Sequence, residues 1–133
     1  MATGTVTLAK TDTVPRVGFK AYVLDWICDA SGDVLQSISD LIGALGERII
    51  GLETVPGLNG DLTTQLPTNL YDITLIDEYG TDVVAAALMN RSGTVGEKVN
   101  PAVPIPVVGT LSLVVDVAGI TLAGRLIIYT DRW

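Results

Sequence analysis

Histidine is absent from the 133 residues, and cysteine occurs once, at Cys28. Without histidine, the Ser/His/Asp and Cys/His nucleophile arrangements are excluded, along with the commonest transition-metal ligand. A single cysteine excludes an internal disulfide and any cysteine-based zinc site. Charge is also sparse: Asp, Glu, Lys and Arg make up 17% of the chain, below the usual quarter. With 8 Lys+Arg against 15 Asp+Glu the net charge is -7, which repels a nucleic acid or an anionic membrane surface at long range. Aromatic residues, at 5%, leave little for stacking on sugar rings. An enzyme would have to rely on paired carboxylates, and no two can be assigned to one strand face.

What remains is apolar and punctuated. Hydrophobic residues make up 48%, with 14 Gly and 6 Pro breaking them into short runs. The length suits one domain with a real core. Residues 1–13 lack the charged-then-apolar pattern of a secretory signal. The most apolar window, residues 106–124, carries Asp116 and three glycines, so it reads as strands and not as a membrane span.

Along the chain, Val6 and Leu8 alternating with Thr5, Thr7 and Ala9 suit a short edge strand or an extended arm; residues 1–12 are assigned to an extended N-terminal arm and 13–133 to a single β-rich domain. Alternation predicts a strand over 17–27, followed by a turn at Asp29–Asp33. Residues 34–45 have apolar positions at helical spacing but poor helix formers at Ser37, Ser39 and Gly43, so a strand and loop is preferred and a short helix stays open. Further strands are expected at 46–55, 71–76, 109–117 and 124–129, with 81–88 leaving a turn as a second apolar run. Pro101, Pro104 and Pro106 stiffen an extended crossover that cannot be a central strand. The pattern is all-β, an antiparallel sandwich or barrel-like domain.

The acidic group Asp72, Asp77, Glu78 and Asp82 is the sharpest chemical candidate, since hard cations need converging carboxylates. Its spacing lacks the rhythm of a calcium loop, and a solvated hairpin tip is the better reading. Trp26 and Cys28 are expected in the core, and Asn90-Arg91-Ser92 in a turn that places Arg91 against a carboxylate at a subunit contact.

The run YDITLIDEYGTDVVAAALMNRS at 71–92 resembles a stretch common in small tailed-phage virion structural proteins of the capsid decoration, or cement, type. Val55-Pro56-Gly57, Pro67, Gly109-Thr-Leu-Ser-Leu and the closing Gly124-Arg-Leu-Ile-Ile-Tyr129 keep that family's order. The chain departs from the pattern at 83–89 and at 34–45. The resemblance implies a non-enzymatic virion component, made in the host cytoplasm, on the capsid surface. Its partners would be the major capsid protein and copies of itself, as a homotrimer, with no cofactor, metal or small-molecule substrate. A neck or tail accessory role is the alternative within the particle; a calcium- or carbohydrate-binding sandwich recognising a host surface is the alternative from another class. The expected contact residues are Thr3, Val6, Leu8 and Lys10 on the arm, then Arg91, Pro101, Pro104, Pro106 and Trp133. On this view deletion of residues 1–11 would release the protein from its partner without unfolding it.

Overall fold

Alternating burial is the rule from the first strand to the last. The computed structural model describes residues 4–13, 19–42, 46–116, 119 and 122–132. Among these residues nine strands run in chain order: β1 (Thr5–Thr13), β2 (Lys20–Ile27), β3 (Val34–Ser37), β4 (Glu47–Pro56), β5 (Asp72–Asp77), β6 (Glu97–Val99), β7 (Ile105–Pro106), β8 (Leu111–Asp116) and β9 (Ala123–Arg132). Among the described residues a single 3-10 turn at Leu58–Gly60 is the only other regular element. In β2 the residues Tyr22, Leu24 and Trp26 point inward; Ile73 and Leu75 do so in β5, Leu111, Leu113 and Val115 in β8, and Leu126 and Ile128 in β9.

The strands form two antiparallel sheets that share one core, an all-β sandwich-like arrangement. The larger sheet has the order β1-β2-β9-β4-β6, with β7 also on β4; the smaller has the order β3-β8-β5. Two bulges bend the larger sheet, one at Ala9 in β1 and one at Ile50 in β4, where the pairing registers shift. Its outer face is stitched by cross-strand pairs. Arg125 opposes Asp25 and holds it through two bonds of 2.6 and 3.0 Å, and Arg48 opposes Asp131 at 2.6 and 3.3 Å.

Both open corners of the sandwich are sealed, each by a different device. Between β1 and β3, the Gln36 side chain takes the place of a neighbouring strand: it accepts from the Val6 N–H at 3.0 Å and donates to the Val6 carbonyl at 3.1 Å. Beside β5, residues 81–91 run as a sealing loop. Ile73 N–H donates to the Leu88 carbonyl, Val83 N–H to Leu75, and Arg91 N–H to Tyr71, so the edge of β5 is satisfied without a full strand.

One expectation changes, and two open points are decided. The N-terminal stretch is extended, but residues 5–13 pair along their length with β2 of the same chain, because Val6 fits the core opposite Trp26. Deletion of 1–11 would therefore strip an edge strand and core residue, not a loose arm. Residues 34–37 are a strand and 39–41 a turn, as preferred over the helix; Val34 and Ile38 bury while Leu35 is exposed, a strand's choice of faces. The run at 81–88 is turns and not a strand. Val84 and Leu88 reach the core, while Ala85 and Ala86 take left-handed φ of 52° and 65° between them.

Candidate interaction surfaces

The expected contact residues fall into five situations. Thr3 and Trp133 lie outside the described residues. Val6 is buried, and Leu8 packs against the core, so neither offers its side chain to a partner. Lys10 is exposed and pairs with Asp12 at 3.2 Å on the same face of β1. Arg91 turns back on its own chain: Nε and Nη2 donate to the Met89 carbonyl at 3.1 Å, and Nη1 lies 3.9 Å from Glu97. The carboxylate expected for Arg91 is thus an internal one. Pro101 is half-buried, whereas Pro104 and Pro106 are exposed on either side of Ile105 in β7.

Those two prolines belong to an exposed apolar stretch, 103–108, and a turn distant in sequence approaches next to it at Gly109; the stretch and the turn are together called the apolar corner. The three most exposed large apolar side chains among the described residues are Tyr79, Val103 and Val108, at 84%, 74% and 67%. Val103 and Val108 flank β7. Tyr79 sits on the turn after β5, whose Glu78 presses so closely on Gly109 that a Cβ there would lie 2.8 Å from Glu78 Oε1. Gly109 also has φ of +70°, the conformation that favours glycine there, whereas the Glu78 carboxylate is the end of a flexible side chain that could move aside. Loop composition alone gave no signal for this, because the two turns are far apart in sequence.

A second feature is a shallow apolar groove of about 160 Å³ on the outer face of the larger sheet. Asp12, Ala21 and Tyr129 stand opposite one another in the strand registers, and Ile50, the β4 bulge residue, extends that row; Phe19 closes one end. Ala21, the smallest side chain in the row, makes the floor.

Three of the four acidic residues of the 72–82 group are occupied with backbone. Asp77 Oδ1 accepts from the Tyr79 and Thr81 amides at 2.9 and 3.0 Å. Asp72 Oδ1 accepts from Asn90 N–H at 2.9 Å. Asp82 takes three amides, from Leu75 at 3.3 Å, Val84 at 3.2 Å and Ala86 at 2.9 Å. They are turn-building carboxylates, a common use of Asp. Among the described residues no group of three Asp, Glu or Cys side chains converges as a metal site. Since Asp82 holds two left-handed alanines in place, Asp82→Ala should cost about 1–3 kcal/mol of stability. Chemical denaturation measures that loss, and faster amide exchange at Leu75 and Val84 would locate it.

Sequence reasoning also missed a buried charge. Glu47, 2% exposed, receives the Tyr22 hydroxyl at 2.8 Å and the Thr130 hydroxyl at 2.6 Å on Oε1, and Lys20 Nζ at 2.9 Å on Oε2. Burial works to raise its pKa, but the hydrogen bonds from Thr130, Lys20 and Tyr22 outweigh it and hold the carboxyl below its ordinary value. The signal was present: alternation from Ile49 puts Glu47 on the inward face. Cys28 is buried too, and burial, reinforced by Asp33, Asp29 and Asp116, pushes its thiol up to about 12, well out of the reactive range.

Among the described residues no helix is long and apolar enough to cross a membrane. No protein-family model, curated protein or solved structure matches the chain. What can be said of function therefore rests on these surfaces and on the residues of the 71–92 run.

Proposed function

We propose that this chain is a structural protein of a tailed-phage particle, a decoration subunit that binds the outer capsid lattice as an oligomer and bridges neighbouring shell subunits. The observation that carries the reading is the exposed apolar corner of Tyr79, Val103 and Val108 with Pro104 and Pro106. Large apolar groups grouped on a surface mark contact sites, and rigid prolines lower the entropic cost of ordering one. Part of the corner, Tyr79, lies within the run that resembles the virion proteins. The mechanism is mass action: a subunit that binds the assembled lattice and not its separated pieces stabilises the lattice by that binding free energy. Several contacts from one oligomer multiply the attachment.

Two measurements test it. Mass-spectrometric counting in purified particles should find this chain in numbers comparable to the major shell protein; about a dozen copies or fewer would replace decoration by a neck or tail role, and absence would end the proposal. A chain with Tyr79→Ser, Val103→Ser and Val108→Ser should keep its melting temperature, since all three side chains face solvent, and lose at least tenfold in particle occupancy. Unchanged occupancy would remove the corner as the contact.

A further inference from the structure

We infer that the open half of β1 is a pairing edge for a second copy of this chain, with the two strands antiparallel about a twofold axis at Thr11. This deepens the structural role proposed above by naming a self-contact, and it can fail without that role failing.

Val6 gives both its N–H and its carbonyl to Gln36, so at Val6 the backbone groups point away from β2. Past the bulge at Ala9, Lys10 opposes Val23 and Asp12 opposes Ala21. In β2 the strand alternation directs Asp25, Val23 and Ala21 toward β1, so Lys10 and Asp12 bond inward and Thr11 presents its N–H and carbonyl outward. Among the described residues nothing pairs with Thr11 on that side. The sealed part of the edge, at Val6, lies beyond the overlap of residues 9–13 in such a pair.

Charge then selects the partner. Antiparallel pairing about Thr11 sets Lys10 of one copy directly opposite Asp12 of the other, twice, on the same outer face of the sheet. The two side chains already point the same way, as their 3.2 Å contact within one chain shows. A lysine and a bulge on a sheet edge are also the devices by which sheets repel strangers. Here, however, the sequence Lys10-Thr11-Asp12 is complementary to itself, so the edge that repels other strands accepts its own copy. A pair of this kind is isologous and closes as a dimer.

Sedimentation equilibrium of the purified full chain, from micromolar to millimolar concentration and without particles, tests this. The wild-type chain should dimerise. K10D and D12K should each weaken association at least tenfold, because each places like charges opposite one another. An equimolar mixture of the two should restore it, as the altered charges again meet opposites. T11P, which removes the outward N–H and no bond to β2, should also weaken association while circular dichroism stays unchanged. A wild-type chain that stays monomeric, single variants that associate as wild type, or a mixture no better than its components would overturn the edge pairing. Particle copy number judges the decoration role separately.

Discussion

Truncating Trp26 to alanine should weaken the domain by about 3–5 kcal/mol, a large share of the stability of any small domain, and leave it unfolded or nearly so at 37 °C. The indole is fully buried on β2, between β1 and β9 in the larger sheet, its ring tilted against Tyr71 with centroids 5.4 Å apart. On the next strand the sequence has made room for it. Gly124 stands opposite Trp26 in the β2–β9 register, and a Cβ at 124 would run into the indole, with Cε2 only 2.8 Å away. Gly124→Val is therefore expected to be as damaging as loss of the ring itself, by overpacking and not by cavity. Trp26→Phe gives the control. It keeps much of the ring volume and removes an indole N–H that finds no acceptor among the described residues, so its cost should be clearly smaller. Denaturant titration of the four chains gives the order. A Gly124→Val chain as stable as wild type would mean that the indole has space to move, and the central packing described here would be wrong.

The ease of reading this fold from its sequence varied with the source of each element's stability. β2, β4, β5, β8 and β9 were legible because their inward residues repeat every second position and meet apolar partners, as Tyr71, Ile73 and Leu75 do. The turn at Asp29–Asp33 was legible because Asp29 Oδ1 accepts from the Ser31 and Asp33 amides and Gly32 supplies the positive φ, all local effects. The 81–88 run is legible only as apolar, because its turns are set by a neighbour: Asp82 caps three amides, and the loop serves the edge of β5. The N-terminal stretch was read as an arm because nothing local distinguishes an arm from an edge strand. Pairing with β2, and the Gln36 amide from 30 residues away, decide the matter. The candidate surfaces follow the same division. Exposed Pro104 and Pro106 were visible in the sequence, whereas the apolar corner and the self-complementary edge depend on which turns and faces the topology brings together.

Glu47 carries the second large effect, and it is one that pH reveals. Removing one member of a buried, hydrogen-bonded charge cluster leaves the others uncompensated, so Glu47→Ala should cost about 3–5 kcal/mol near neutral pH. Glu47→Gln is the sharper probe. It keeps the shape, but an amide cannot accept on both sides as the carboxylate does, with Tyr22 and Thr130 on one oxygen and Lys20 on the other. The sign of the pH effect follows from the direction of the shift. The folded carboxyl lies below its unfolded value of about 4.3, so the unfolded chain binds the proton more readily. The stabilisation is fully present above that value and is lost as pH falls through the folded pKa. Tyr22 sets the opposite limit: burial first, then the Glu47 bond and charge, raise its pKa, so its contribution is present below about 10 and is lost as pH rises through the folded value. Wild type should thus lose stability in acid more steeply than Glu47→Gln, with the two curves converging where Glu47 is protonated in both states. Curves that stay parallel from pH 7 down to acid unfolding would show that the carboxyl binds its proton equally well folded and unfolded, so that its three hydrogen bonds do not favour the charged form. A Lys20→Met, Glu47→Leu double variant, which removes both charges together, should recover only the part of the single-variant loss that comes from the unpaired Lys20 charge, because the buried Tyr22 and Thr130 hydroxyls still lose their acceptor.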